Sequence, residues 1–178
     1  LTRALYGKQI RQPIGGDFAI SRDVAKFYAD QDVWLTDVAR FGIDIWMTTT
    51  AITQEFRICQ SNLGVKIHDV KDPGQHLGPM FRQVLSALFS LMERHESYWK
   101  KVSGSAPVET FGFGGALEPE PVKVNLDLMI ELFKTGFQQF APIYRDVFSE
   151  ENFAAINKTA CLEAKEFYMP TAAWLKIL

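Results

Sequence analysis

"NLGVKIHDVKDPGQHLGPMFRQVLSALFSLM", residues 62–92, contains the change of character that decides the fold. Its first part alternates. A strand turns successive side chains to opposite faces, so Leu63, Val65 and Ile67 share one face and Gly64, Lys66 and His68 the other. Asp72-Pro73-Gly74 reads as a turn. From His76 the spacing becomes helical. Leu77, Phe81, Val84, Leu88 and Leu91 form one stripe of a long helix reaching roughly Val102. His68 stands off the apolar face of the strand, at its end and beside a turn, where loops commonly carry chemistry.

Upstream, residues 1–20 read as a short extended segment followed by a Gly-Gly turn. Ser21 offers an N-cap for a helix whose apolar side is Val24, Phe27 and Tyr28. Thr36 can cap a short turn that Gly42 ends. Ile45, Thr48, Thr49, Ile52 and Phe56 fit a helix from about Asp44 to Phe56. Thr48, Thr49 and Thr50 are poor helix formers, so tertiary contacts or a site should justify them. Residues 57–68 read as one strand or a tight strand pair.

Downstream, residues 103–121 read as a loop rich in Gly and Pro. A second long helix carries Leu126, Ile130, Phe133, Phe137, Phe140, Tyr144 and Val147, with Pro142 expected to kink it or end it early. Ser149 can cap a third helix that Pro170 stops, and a last helix follows. The expected architecture is mixed α/β and mostly helical. Residues 1–75 read as the trailing part of an α/β domain and 76–178 as a helical extension. The start at Leu1 and the end within "MPTAAWLKIL" read as a fragment of a longer chain.

Composition excludes several classes. The 178 residues carry a net charge of −2, and no basic run marks a nucleic-acid interface. No apolar stretch approaches a membrane span, and no signal peptide opens the chain. Fourteen Phe and four Trp promise a partly aromatic core. Cys59 and Cys161 read as reduced thiols of a cytoplasmic protein.

Three stretches could carry chemistry. "QPIGGDF", 12–18, lets the backbone approach a ligand through Gly15 and Gly16, with Asp17 beside them, ahead of a helix start that suits an anion. It reads equally as a plain turn. "RFGIDIWMTTT", 40–50, places Asp44 near a helix start with Thr48 one turn later on the same face. Asp44 is either a helix-start acid or an acid aimed into a pocket. "KIHD", 66–69, offers His68 as a metal ligand or base. Asp30-Gln31-Asp32 has the Asp-x-Asp pattern but lies at a helix end, and "GFGG" at 112–115 lacks a strand–helix context. His76 and His95 read as helix-surface residues.

Taken in order, Gly15-Gly16-Asp17, Gly42-Ile43-Asp44-Ile45 and Leu63-Gly64-Val65-Lys66-Ile67-His68 resemble the second half of a GT-A fold glycosyltransferase. The similarity is to the group containing glucosyl-3-phosphoglycerate synthase and mannosylglycerate synthase, over about residues 7–75. It implies metal-dependent, retaining transfer from a nucleotide-diphosphate sugar to a small acceptor. His68 would complete the coordination of Mg²⁺ or Mn²⁺ on the donor diphosphate. Asp44 would lie near the transferred sugar and acceptor as the catalytic-site acid. Gly15, Gly16 and Asp17 would approach donor or acceptor, with Thr48 close by. Lys66, Asp69 and Lys71 would sit in a loop closing over the site. The first half of such a domain, with its Asp-x-Asp, is absent from these residues, so this stretch alone is expected to be inactive. Asp44 stands where the phosphoglycerate enzymes carry glutamate, and Ala19 and Ile20 replace their phosphate-binding arginine and threonine.

Two other readings stand beside it. The apolar stripes at 77–91 and 126–147 would serve a helical interaction or dimerisation module, and a homodimer is left open. A metal-dependent hydrolase would use Asp44 and His68, with few further ligands visible. Convergence of His68, Asp44 and Gly16 on one open cleft separates the transferase reading from both.

Overall fold

A computed structural model describes residues 1–64, 73–112 and 124–177. It is mixed α/β and mostly helical, in two compact units, Leu1–Pro121 and Val122–Leu178. The sequence division at residue 75 follows the change in periodicity. The spatial division falls later because the helix after that point packs into the first unit.

The first unit is built around α3, Ile43–Thr53. Ile45, Trp46, Thr48, Thr49, Thr50 and Ile52 are all buried, so α3 is enclosed rather than one-sided. It packs against α4, Pro73–Arg94, whose Ala87, Leu88 and Leu91 close the core with Tyr28, Val33, Val38 and Trp46. Tyr28 comes from α2, Arg22–Ala29. Its ring lies 5.0 Å from that of Trp46, and its hydroxyl donates to the Met47 carbonyl at 2.7 Å. The caps hold as expected: the Ser21 side chain accepts from Val24 N–H, and that of Thr36 from Val38 N–H. Gly42 sits where α3 meets α4, and a Cβ there would lie 2.7 Å from the Ala87 Cβ.

Around this core lie α1, Thr2–Tyr6, and α5, Glu96–Trp99, with four short strands. β1 (Lys8–Gln9) pairs in parallel with β3 (Ala106–Pro107), with Lys8 opposite Ala106. β2 (Cys59–Ser61) pairs in parallel with β4 (Glu109–Phe111), with Cys59 opposite Glu109. Arg57 and Glu109 add an exposed ion pair beside β2 and β4.

The second unit consists of α6 (Leu126–Val147), α7 (Glu150–Cys161) and α8 (Thr171–Ile177). Ile130, Phe137, Ile156 and Thr159 are buried between α6 and α7. The Phe137 and Phe153 rings lie 5.7 Å apart, and the Arg145 guanidinium lies over Phe153. Ser149 caps α7 through Asn152 N–H, and Asn152 in turn donates to the Lys176 carbonyl of α8.

Several expectations are corrected. Residues 2–6 are helical, not extended. The 103–121 stretch contains β3 and β4 rather than loop alone, because pairing with β1 and β2 supplies backbone partners that local propensity does not announce. The strand expected over 57–68 is limited to Cys59–Ser61 among the described residues, and residues 65–68 lie outside them. The helix expected to reach Val102 breaks at His95 and resumes as α5. α6 continues past Pro142 to Val147. The third helix stops at Cys161, well before Pro170.

Candidate functional site

The site is assembled by the turn that leaves β1. Pro13 fixes its own φ, and the Gly15 N–H donates to the Gln12 carbonyl at 3.2 Å, closing a tight turn. Gly16 follows at φ +75°, a left-handed conformation open to glycine at little cost. The turn is tied to α3: the buried Thr48 hydroxyl donates to the Pro13 carbonyl at 2.7 Å. A poor helix former is kept in α3 by that bond. Thr49 is fully buried, and its hydroxyl has no hydrogen-bond partner among the described residues.

Below the turn opens a cavity of about 730 Å³. Pro13 and Ile14 of the turn line it, as does Ile45 from the first turn of α3. Its polar lining comes from Thr2, Arg3, Gln9, Arg11, Gln60 and Thr110. Gln60 ties the floor together. Its side-chain oxygen accepts from the Arg11 N–H at 3.1 Å, and its amide nitrogen donates to Thr110 Oγ1 at 2.9 Å. Both arginine side chains are exposed, and no carboxylate is among the described lining residues. The cavity is therefore biased toward an anionic guest, with guanidinium groups suited to carboxylate or phosphate.

Asp44 lies half-buried in the first turn of α3, next to Ile45 of the lining and one turn before Thr48. Gly15, Gly16 and the exposed Asp17 follow directly on the lining residues Pro13 and Ile14. Gly15, Gly16, Asp17, Asp44 and Thr48 are not themselves lining residues; the cavity is bordered by their neighbours Pro13, Ile14 and Ile45. Lys66, His68, Asp69 and Lys71 lie outside the described residues. Asp30 and Asp32 are exposed at the end of α2, as a solvated helix end requires.

Among the described residues no group of three or more His, Cys, Asp or Glu could hold a metal ion. The described residues alone do not assemble the divalent-cation site that the resemblance implies. No described helix is long and apolar enough to cross a membrane.

Sequence reading missed Arg3, Arg11, Gln60 and Thr110. They come from four separate segments that only the fold joins. Arg11 alone carried a local signal, standing immediately before the glycine turn. No protein-family profile, curated protein or solved structure matches the chain.

Proposed function

We propose that this chain belongs to a glycosyltransferase of the GT-A type, transferring a sugar from a nucleotide diphosphate to a small acceptor with retention and with a divalent cation. One observation carries the reading. The glycine turn and the start of α3, two of the resemblance segments, border one open cavity through Pro13, Ile14 and Ile45, and the Thr48–Pro13 bond ties the turn to α3. In this reaction an acceptor hydroxyl forms the new bond to the anomeric carbon as the bond to the diphosphate breaks. Negative charge grows on the leaving group, and cationic donors stabilise it. Arg3 and Arg11 are suited to the anionic portion of a bound substrate. Asp44 is suited to accept hydrogen bonds from sugar or acceptor hydroxyls. His68 is the proposed cation ligand. A covalent nucleophile is not assigned.

The test is nucleoside diphosphate release from a panel of sugar nucleotides by the natural polypeptide containing this chain, with Mg²⁺ or Mn²⁺ and with chelator. Metal-dependent release that His68→Ala and Asp44→Asn each reduce at least a hundredfold supports the reading. Turnover of no donor, or full activity in both variants, refutes it and leaves a helical interaction module, which the exposed apolar face of α6 favours.

A further inference from the structure

α6 has two apolar faces. One carries Ile130 and Phe137, buried within the second unit. The other carries Met129, Leu132, Phe140, Ile143 and Val147, each between 37% and 70% exposed. On a helix with 3.6 residues per turn these five fall on one continuous stripe. Asp127, Glu131, Lys134, Arg145 and Asp146 all fall off it. Taking roughly 150–200 Å² per large side chain, about half exposed, the stripe leaves on the order of 500 Å² of apolar surface uncovered. That lies at the upper end of the largest apolar patch on an ordinary monomer, about 300–600 Å² and often functional, and supplies more than half of the ~800 Å² each partner contributes to a stable interface.

The pattern of the stripe names its occupant. Gly136 stands at the middle of the 22-residue helix, and a Cβ built on it meets nothing within 4 Å. Leu132 and Phe140 lie four residues to either side of Gly136, and Met129 and Ile143 lie seven to either side. The four central residues of the stripe are thus palindromic about its one residue without a side chain, while Val147 mirrors Asn125 outside the helix. A two-fold axis through Gly136 sets two antiparallel copies of α6 across each other, Leu132 against Phe140 and Met129 against Ile143. Such an isologous contact requires a surface that complements itself under reversal. The missing side chain at the crossing lets the axes approach to the short end of the usual 8–10 Å.

We infer that the exposed face of α6 is a homodimer interface, with Gly136 at the two-fold crossing. The inference does not rest on the transferase reading. A dimer built this way places the two copies of α6 antiparallel and in a single register.

The register gives the experiment. In full-length chains whose exposed Cys59 and Cys161 are replaced by serine, Leu132→Cys and Phe140→Cys are made separately. Mixed and mildly oxidised, they should form a disulfide-linked pair. Either alone should not, because two copies of position 132 lie about 12 Å apart along the axis at 1.5 Å per residue, beyond disulfide reach. Sedimentation should show a dimer at micromolar concentration, weakened at least tenfold by Leu132→Lys and by Gly136→Leu. Gly136→Leu also guards against misfolding, since leucine favours the helix over glycine, so helicity should hold or rise while the dimer weakens. A monomer at all concentrations, cross-linking of position 132 to itself, or a Gly136→Leu dimer as tight as the parent overturns the inference. The first of these outcomes leaves the face to a different partner.

Discussion

Thr48 and Thr49 are neighbours on one buried helix turn, and the same substitution should move stability in opposite directions. Thr48→Val removes a hydroxyl that donates to the Pro13 carbonyl at 2.7 Å. The loss of one intramolecular bond, with a carbonyl left short of a partner, costs about 1–2 kcal/mol. Thr49→Val removes a hydroxyl that is fully buried and unpartnered among the described residues. An unpaired buried hydroxyl is unfavourable by roughly 1–3 kcal/mol, so valine should stabilise by about 1 kcal/mol. Both changes keep β-branching, shape and nearly equal helix propensity, so those contributions cancel. Urea unfolding can be followed by tryptophan fluorescence, since Trp34 and Trp46 pack 5.6 Å apart in this core. With a denaturant slope of ~2 kcal/mol per molar, the midpoint should fall by about 0.5–1 M for Thr48→Val. It should rise by about 0.5 M for Thr49→Val. Equal destabilisation by both variants would refute the reasoning, because it would mean that the Thr49 hydroxyl has a partner and that the Thr48 bond is not special.

Gly42→Ala should destabilise by about 1–3 kcal/mol through overpacking. The new methyl would meet the Ala87 Cβ at 2.7 Å and the Asp37 carbonyl oxygen at 2.8 Å. Pairing it with Ala87→Gly, which frees the first of these contacts, should recover part of the loss in the same urea assay. The Tyr28 phenol is pushed up to about 12 by burial. In the unfolded chain it ionises near pH 10. The folded state therefore holds its proton more tightly, and the stability this gives is complete below pH 10 and is lost as pH rises toward 12. Absorbance at 295 nm should show one tyrosine titrating last, and Tyr28→Phe should flatten the alkaline fall in unfolding midpoint. An unchanged alkaline profile in that variant counts against the burial argument.

Three helix starts were legible because a short polar side chain could accept a backbone N–H, while the Asn125 cap of α6 went unread. Ser21, Thr36 and Ser149 each do so, and that bond is local to the residues that make it. β2 lies within the strand read over residues 57–68, but the other strands were not legible. β1, β3 and β4 are two or three residues long, and their partners lie about fifty or a hundred residues away, as in Cys59 opposite Glu109 and Lys8 opposite Ala106. No alternation can show in so short a segment, and parallel pairing leaves no hairpin signal. The end of α7 was misplaced because Leu162 leaves the helix with an extended backbone, without the Pro or Gly that the sequence first offers at Pro170. The threonines of α3 show how far sequence can reach toward a site. Three β-branched polar residues in a row signal that something beyond propensity holds them, but not that Thr48 reaches Pro13.

The same limit explains α6. Its sequence periodicity groups Leu126, Ile130, Phe133, Phe137, Phe140, Tyr144 and Val147 into one core stripe. The fold divides that group. Phe137 turns inward with Ile130, while Leu126, Phe140 and Val147 stay exposed beside Leu132 and Ile143. A stripe wide enough to contain both sets exceeds what one packed neighbour can cover, so a broad apolar arc on a helix of this length describes two contacts rather than one. Only the burial of each residue tells which contact is already made. Once the inner face is assigned to α7, the residues left over include Leu132 with Phe140 and Met129 with Ile143, which mirror one another about Gly136, and the symmetry that sequence had hidden among core positions becomes visible.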